Sequence, residues 1–416
     1  MVSRPETIKQ PELKGARNLE WENRIDYQKM VQLLWRLDWA SQEAEHTEEF
    51  YSSVNVWREW DLLPGPWAQE LWGRSPGFVS GREVTPGTLL PDYQPEAVRI
   101  CPRSEFGRGR WQPRFGRFYP EGLLASQPGS AKLGRCCYLT ATEVGLDFTH
   151  PLAGHTCHLM ITVAEVQPKR GDTGGLCQDW SALFLEGPGQ QARWRGQPTD
   201  FFADEPFQRQ DENDDALFYQ RPRFVSHLDA RARQTIRRLY GQLLPQGGRV
   251  LDLMSSWQSH LPDELVLAEV IGLGLNNAEL RRNQRLTQHL VHDLNQDPRL
   301  PWPSASFDGV ICTASVEYLI RPLDVFQEVA RILRPGGVFI ITFSNRWFPP
   351  KAIRIWTELL DYERLGLVAE YFLRSGGFGR LKTFVSRGWP RPENDPYFPQ
   401  VRISDPVFAI WGYQEL

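Results

Sequence analysis

The stretch GGRVLDLM (247–254), continued by EVIGLGLNN (269–277), VHDLNQD (291–297), SFDGVICTASVEYL (306–319) and RILRPGGVFIITF (331–343), decides the fold. Its apolar runs at 250–254, 270–275, 309–313 and 338–343 have strand length, and three of them are separated by segments long enough for a helical crossover. Parallel strands require such crossovers, so the pattern predicts half of a doubly wound α/β sheet. In an open sheet of this kind a ligand binds outside the carboxyl ends of the strands, where the strand order reverses. The tails of the four runs are therefore where chemistry is expected.

The whole chain sets the bounds. With 416 residues, 41% hydrophobic and 24% charged, it has material for two or three domains. A net charge of −4 gives no global reason to expect nucleic acid or an anionic membrane as partner. No run reaches the roughly 18 apolar residues of a membrane span, and the polar opening MVSRPETIKQPELKG lacks a signal-peptide core. The expectation is a cytoplasmic protein with a small-molecule partner, its oligomeric state open. Cys101, Cys136, Cys137, Cys157, Cys177 and Cys312 form no CxxC pair, so neither a zinc ribbon nor a disulfide framework is signalled.

Taken in order, 1–24 reads as a loose arm. Tyr27, Met30, Val31, Leu34, Trp35, Leu37 and Trp39 mostly recur at three and four residues, which predicts an amphipathic helix within a first segment 1–47. From 48 to 168, short strand-like runs broken by Gly and Pro predict a small β-rich domain. Within it, GLDFTHPLAGHTCHLMITVAEV resembles the closing part of an FKBP-type peptidyl-prolyl isomerase of the SlyD-like branch, on the strength of the THPLAG turn at 149–154. Pro151 fixes φ there, Gly154 supplies a positive φ, and Leu152 is placed to plug a core. His150, His155, Cys157 and His158 do not converge along a strand, so no metal is expected. Arg103, Arg108, Arg110, Arg114 and Arg117, interleaved with aromatics, read as a solvated, Arg-stacked loop rather than a nucleic-acid stripe. Residues 169–215 form a connector whose aromatics, among them Trp194, Phe201, Phe202 and Phe207, predict that it wraps a domain.

From 216 onward, a helix is expected up to Leu244, with Pro245 and two glycines ending it before VLDL. VLDL, the central VHDLNQDPRLPWPSASFDGVICTASVEYL and EVARILRPGGVFIITF, in this order, resemble a class I S-adenosylmethionine-dependent methyltransferase of type 11, over 218 to about 356. The implied architecture is a Rossmann-like class I methyltransferase domain (216–416) preceded by the FKBP-like β-rich domain. The resemblance implies S-adenosyl-L-methionine as cofactor, held by Asp252, Met254, Ser255 and Ser256 after the first strand and by Gly274, Leu275 and Asn276 after the second. Asp293 and Leu294 would meet the adenine, and Ala314 and Ser315 the region beneath the sulfonium. Pro335, Gly336 and Gly337 are expected to make a tight turn. Two departures stand out. The first loop, LDLMSSWQSHLP, contains no glycine where the family is glycine-rich, and Trp257 and His260 add bulk that narrows or fills the site. At the end of the second strand Gly274 stands where the family places an acid for the ribose hydroxyls, with Asn276 in reach to compensate.

Methyl transfer is chiefly a matter of alignment, with a base where the nucleophile carries a proton. His260, Tyr219, His227 and Glu317 are the catalytic candidates near the expected mouth. Tyr219, Arg223 and His227 would share a helical face, and Arg223 would meet a carboxylate of cofactor or substrate. Asn345, Arg346, Trp347 and Phe348 are the acceptor-side candidates, for something planar or anionic. Three readings stay open: a methyltransferase on a small molecule, a non-catalytic binder of S-adenosylmethionine or another ligand, and a folding helper working through the FKBP-like segment.

Overall fold

A computed structural model describes residues 23–56, 66–90, 92–106, 112–124, 127–169 and 184–415. Arg108, Arg110, Cys177 and most of the predicted arm lie outside them. Backbone contacts divide the chain into two compact units, the first drawn from 1–33, 53–80 and 162–180, the second from 34–52, 81–161 and 181–416. In the first unit a short helix, α1 (Pro66–Leu71), is followed by a turn in which Ile25 N–H donates to the Arg74 carbonyl at 2.9 Å and Gly73 N–H to the Ile25 carbonyl at 3.1 Å.

The predicted helix near residue 25–39 is instead a strand, β1 (Lys29–Ala40). Val31, Leu33, Trp35, Leu37 and Trp39 are buried and alternate with half-buried neighbours. The period of two was present in the sequence. Apolar residues at Met30 and Leu34, on the other face, completed a false helical pattern. Further strands are β2 (Ala44–Asn55), β3 (Val79–Val84), β4 (Val98–Pro102), β5 (Phe118–Pro120), β6 (Leu133–Leu139), β7 (Glu143–Asp147) and β8 (Cys157–Pro168).

Within the second unit, β4, β7, β6 and β5 make an antiparallel sheet in that order around Phe106, Tyr119, Leu124, Cys136, Val144, Leu146 and Phe148. In the 149–154 turn Leu152 is buried and Gly154 has φ 81°, as its residue types require. His150 lies against the Leu185 carbonyl and His155 against the Ala40 carbonyl, each at 3.2 Å, so the histidines have separate partners. Arg114 pairs with Asp204 and, at 3.7 Å, with Asp200, while Arg117 lies 3.6 Å from Glu358 and 3.9 Å from Glu363. These arginines are neutralised within the chain.

The C-terminal part carries α2 (Asp215–Phe218), α3 (Ala230–Leu243), β9 (Arg249–Leu253), β10 (Glu269–Gly274), α4 (Asn277–Arg282), β11 (Gln288–Val291), β12 (Phe307–Thr313), α5 (Pro322–Ile332), β13 (Leu333–Phe343), α6 (Arg354–Glu358), α7 (Asp361–Ser375), β14 (Leu381–Arg387) and β15 (Val407–Tyr413). The strand order is β11-β10-β9-β12-β13-β15-β14. The first five strands are parallel, and β15 runs antiparallel to β13 and β14. Val250, Leu251, Ile271, Leu273, Val310 and Ile311 are all buried, as strands covered on both faces require. On one face α3 presents Ala232, Ile236, Leu239 and Tyr240; on the other α5 presents Val325, Phe326 and Val329. The order reverses between β9 and β12, which places the switch point beside Asp252 and Thr313.

Three differences from expectation bear on the site. The helix ending at Leu244 begins only at Ala230, where Asp229 accepts from Ala232 N–H at 2.8 Å. Residues 219–229 are an irregular strap. Pro335 to Gly337 lie inside β13 rather than in a free turn, next to a register shift between Phe307 and Gly309, with Gly336 at φ 77°. Finally, β2 pairs in parallel with β14, from Ala44↔Leu381 to Phe50↔Arg387, so residues on both sides of the expected 47/48 boundary form one strand of the main sheet. The connector does pack against this part of the chain, with Phe202 and Phe207 around Tyr371.

Candidate active site at the strand switch point

A cavity of about 690 Å³ lies at the carboxyl ends of β9, β10, β11 and β12. It is lined by Asp252, Met254, Ser255, Ser256, Gly274, Leu275, Asn276, Asp293, Leu294, Ala314 and Ser315, and on the facing wall by Tyr219, Arg223, His227, His260, Asn345, Arg346 and Phe348. The sequence-predicted residues thus come together, with one exception. Glu317 does not line the cavity; it is 1% exposed beneath it, and burial pushes its carboxyl up to about 8. Its place just after the fourth strand suggested access, but the short helical turn 316–318 points it inward among Val316 and Tyr318, both buried.

The glycine-free loop after β9 has its own construction. Ser255 and Ser259 each donate to Asp252 Oδ2 at 2.6 Å, and Asn283 donates to Ser259 Oγ at 2.8 Å and to the Ser256 carbonyl at 2.9 Å. Burial lifts the Asp252 carboxyl to about 6, and the two serine hydroxyls oppose that rise. Met254 and His260 take positive φ, 55° and 53°, at the two ends of the loop. Hydroxyl bonds to a buried carboxylate thus fix a backbone that glycine would make by conformational freedom.

The second departure follows from the first. Ser255 N–H donates to the Leu273 carbonyl at 2.7 Å, and a Cβ on Gly274 would meet the Ser255 carbonyl oxygen at 2.2 Å. No side chain fits at 274 while the loop holds this course. Asn276 does not replace the missing acid: its Oδ1 caps α4 by accepting from Ala278 and Glu279 N–H, and its Nδ2 donates to the Tyr219 and Gln220 carbonyls. Both ends of the amide are committed.

The strap 219–229 is fastened to these same loops. Besides Asn276, Glu279 accepts from Arg223 N–H at 2.6 Å, Trp257 Nε1–H donates to the Val225 carbonyl at 3.1 Å, and Asp405 accepts from Asp229 N–H at 3.0 Å. Trp257 therefore lines the cavity and packs edge-on to Phe224 rather than filling it. Tyr219, Arg223 and His227 share no helical face, yet all three meet Phe348: two rings at 6.4 and 5.2 Å, and the Arg223 guanidinium at 4.9 Å over its face. Asp215 anchors the strap's start. It accepts both from Arg209 Nη1 at 2.8 Å and from Asn295 Nδ2 at 2.8 Å, and lies 3.0 Å from the fully buried Lys351 ammonium.

Residues 255–341 match the family model described as a methyltransferase domain. This segment of the chain is thus similar to a methyltransferase domain. S-Adenosylmethionine is the cofactor that such a domain implies. Malonyl-[acyl-carrier protein] O-methyltransferase of Marinomonas sp. (strain MWYL1) is 28% identical over 78 residues, 18% of this chain and 29% of that protein. The match therefore spans under a third of that relative's length. Among solved structures, an S-adenosylmethionine-dependent methyltransferase of Thermotoga maritima is 16% identical over 44% of this chain and 90% of its own, with a TM-score of 0.33. One of Mesorhizobium loti is 18% identical over 44% and 98%, with a TM-score of 0.28.

The cavity suits a nucleoside cofactor in volume and in donor set. Asp293 uses Oδ1 to accept from Asn295 N–H at 2.8 Å while lining the cavity. Leu275 and Leu294 supply apolar surface. On the opposite wall, desolvation and neighbouring arginines hold His260 down to about 4, and desolvation with Arg223 holds His227 below its ordinary value. Both are neutral acceptors at physiological pH. Burial pushes the Tyr219 phenol up, so it keeps its proton as a donor. Sequence reasoning missed Glu279, His292 and Tyr397 in the wall. Glu279 had a signal, since Asn276 followed three residues later by Glu marks a helix start. Tyr397 had none: it comes from a loop held by the buried Arg391, which meets Asp405 at 2.6 Å and Asp229 at 3.4 Å.

Proposed function

We propose that this chain is an S-adenosylmethionine-dependent methyltransferase whose acceptor is a small, flat molecule carrying an anionic group. The observation that supports the acceptor class is the wall around Phe348. Tyr318 stacks on that ring at 6.1 Å and Tyr219 and His227 meet its edges. Arg223 lies over it, donates to the Phe218 carbonyl, and makes no ion pair among the described residues. A guanidinium held by aromatic faces without a carboxylate partner is suited to an anion on a planar ligand. Arg346, by contrast, is 3.1 Å from Asp405 and so already paired.

The bound cofactor supplies a methyl group activated on a sulfonium. Asp252, Asp293 and the loops around them hold it in this reading, and the strap with Phe348 and Trp257 excludes water and aligns the acceptor. His227 is the better base of the two histidines, because His260 is held too far below physiological pH to draw a proton strongly. Asn345 and Arg346 complete the acceptor side. Calorimetry of the full chain with S-adenosylmethionine and S-adenosylhomocysteine tests the reading. Saturable heat is expected, and none at near-millimolar ligand overturns it.

A second reading, binding without transfer, draws on the absent acid at Gly274 and the committed Asn276. Saturable heat together with no label transfer from methyl-labelled cofactor to any of a panel of aromatic carboxylates would favour it. The FKBP-like reading of 48–168 rests on the 149–154 turn, and a prolyl-isomerisation assay with a test peptide decides whether that segment is active.

A further inference from the structure

A nucleoside presents two neighbouring ribose hydroxyls, and in a partly dry site these donors need an acceptor, best a carboxylate. Along the cavity the choices at the second strand are few. Gly274 has no side chain and no space for one. Asn276 has spent both ends of its amide on α4 and the strap. Asp252 is buried under two serine hydroxyls. Glu279, on the first turn of α4, lines the cavity, is half-buried, and accepts a single bond, from Arg223 N–H. A carboxylate has about four acceptor sites, so most of its capacity is unused.

We propose that Glu279 receives the ribose hydroxyls, taking over from a strand-end acid that the course of the first loop forbids. The inference rests on the nucleoside-cofactor reading above. It also joins ligand to strap: the carboxylate that meets the ribose is the one that holds residue 223 in place, so the segment covering the acceptor is fixed by the group that senses the cofactor.

The test is a hydroxyl preference measured by calorimetry on the full chain, with adenosine, 2′-deoxyadenosine and 3′-deoxyadenosine as probes and S-adenosylhomocysteine as reference. Wild type is expected to prefer adenosine over the deoxy probes by about tenfold or more, the worth of a charge-assisted hydrogen bond. Glu279→Gln keeps an oxygen for Arg223 N–H but loses the charge, and its preference should shrink to about threefold or less. Phe224→Ala loosens the same strap at an exposed residue outside the cavity wall and should keep the wild-type preference. A wild type indifferent to the hydroxyls, an unchanged preference in Glu279→Gln, or an equal loss in Phe224→Ala overturns the proposal while leaving cofactor binding intact. Absence of heat with S-adenosylhomocysteine and adenosine alike overturns the cofactor reading and this inference with it.

Discussion

Gly274 and Ser255 are two halves of one arrangement, since the backbone of one occupies the space a side chain on the other would need. Restoring an acid by Gly274→Asp should therefore harm the protein. Overpacking of this kind costs about 1–3 kcal/mol, and urea unfolding should show a loss at least that large together with no gain in cofactor affinity. Glu317 gives a second prediction at this scale. Its folded carboxyl sits at about 8, above an ordinary value near 4.5. Between those values the folded chain keeps a proton that the unfolded chain has released, so stability falls as pH rises through the window. Its Oε2 has no hydrogen-bond partner, so Glu317→Gln loses little. The variant should gain melting temperature relative to wild type as pH goes from 5 to 8.5, and a constant difference across that range would refute the assignment.

The strap is an element without regular structure, and its position depends on side chains from elsewhere. Phe224 and Val225 are exposed on it at 42% and 57%, so the bonds from Trp257, Asn276 and Glu279 carry much of its placement. Loss of the Trp257 bond in Trp257→Phe, worth about 1 kcal/mol, should speed tryptic cleavage after Arg223 roughly fivefold, read by mass spectrometry under native conditions. Its far anchor is stronger. Lys351 is fully buried against Asp215 and the carbonyls of Asp211 and Asn213, at 3.0, 3.2 and 2.6 Å. Lys351→Met would take one charged partner from Asp215 and leave it Arg209 and Asn295, a change that costs about 1.5–3 kcal/mol, and its denaturation midpoint should fall accordingly. The strand β1 teaches a related lesson about elements: with apolar residues on both faces, a period of two and a helical spacing coexist, and only pairing in a sheet decides between them.

Over the whole molecule, much of the α/β core was readable, because parallel strands buried on both faces leave continuous apolar runs and their crossovers leave amphipathic helices. The short, mostly exposed β11 escaped, having too few buried residues to mark it. Pairing of β2 with β14 was also invisible, for nothing local to Ala44–Asn55 specifies a partner more than three hundred residues away. The wall residues Asp252 and Ala314 were legible since each ends or directly follows a recognisable strand, and Asp293 through the resemblance carried by VHDLNQD. Glu317, equally close in sequence, turned inward. Sequence alone determined the α/β core, the place of its ligand cavity, and the two positions where that cavity departs from its kind. Only the tertiary structure decided what those departures mean: that the first loop is shaped by hydroxyls on a buried carboxylate, that its path excludes any side chain at 274, and that Asn276 is committed to the strap. Such facts depend on which atoms share a few ångströms of space, and strand patterns carry no record of that.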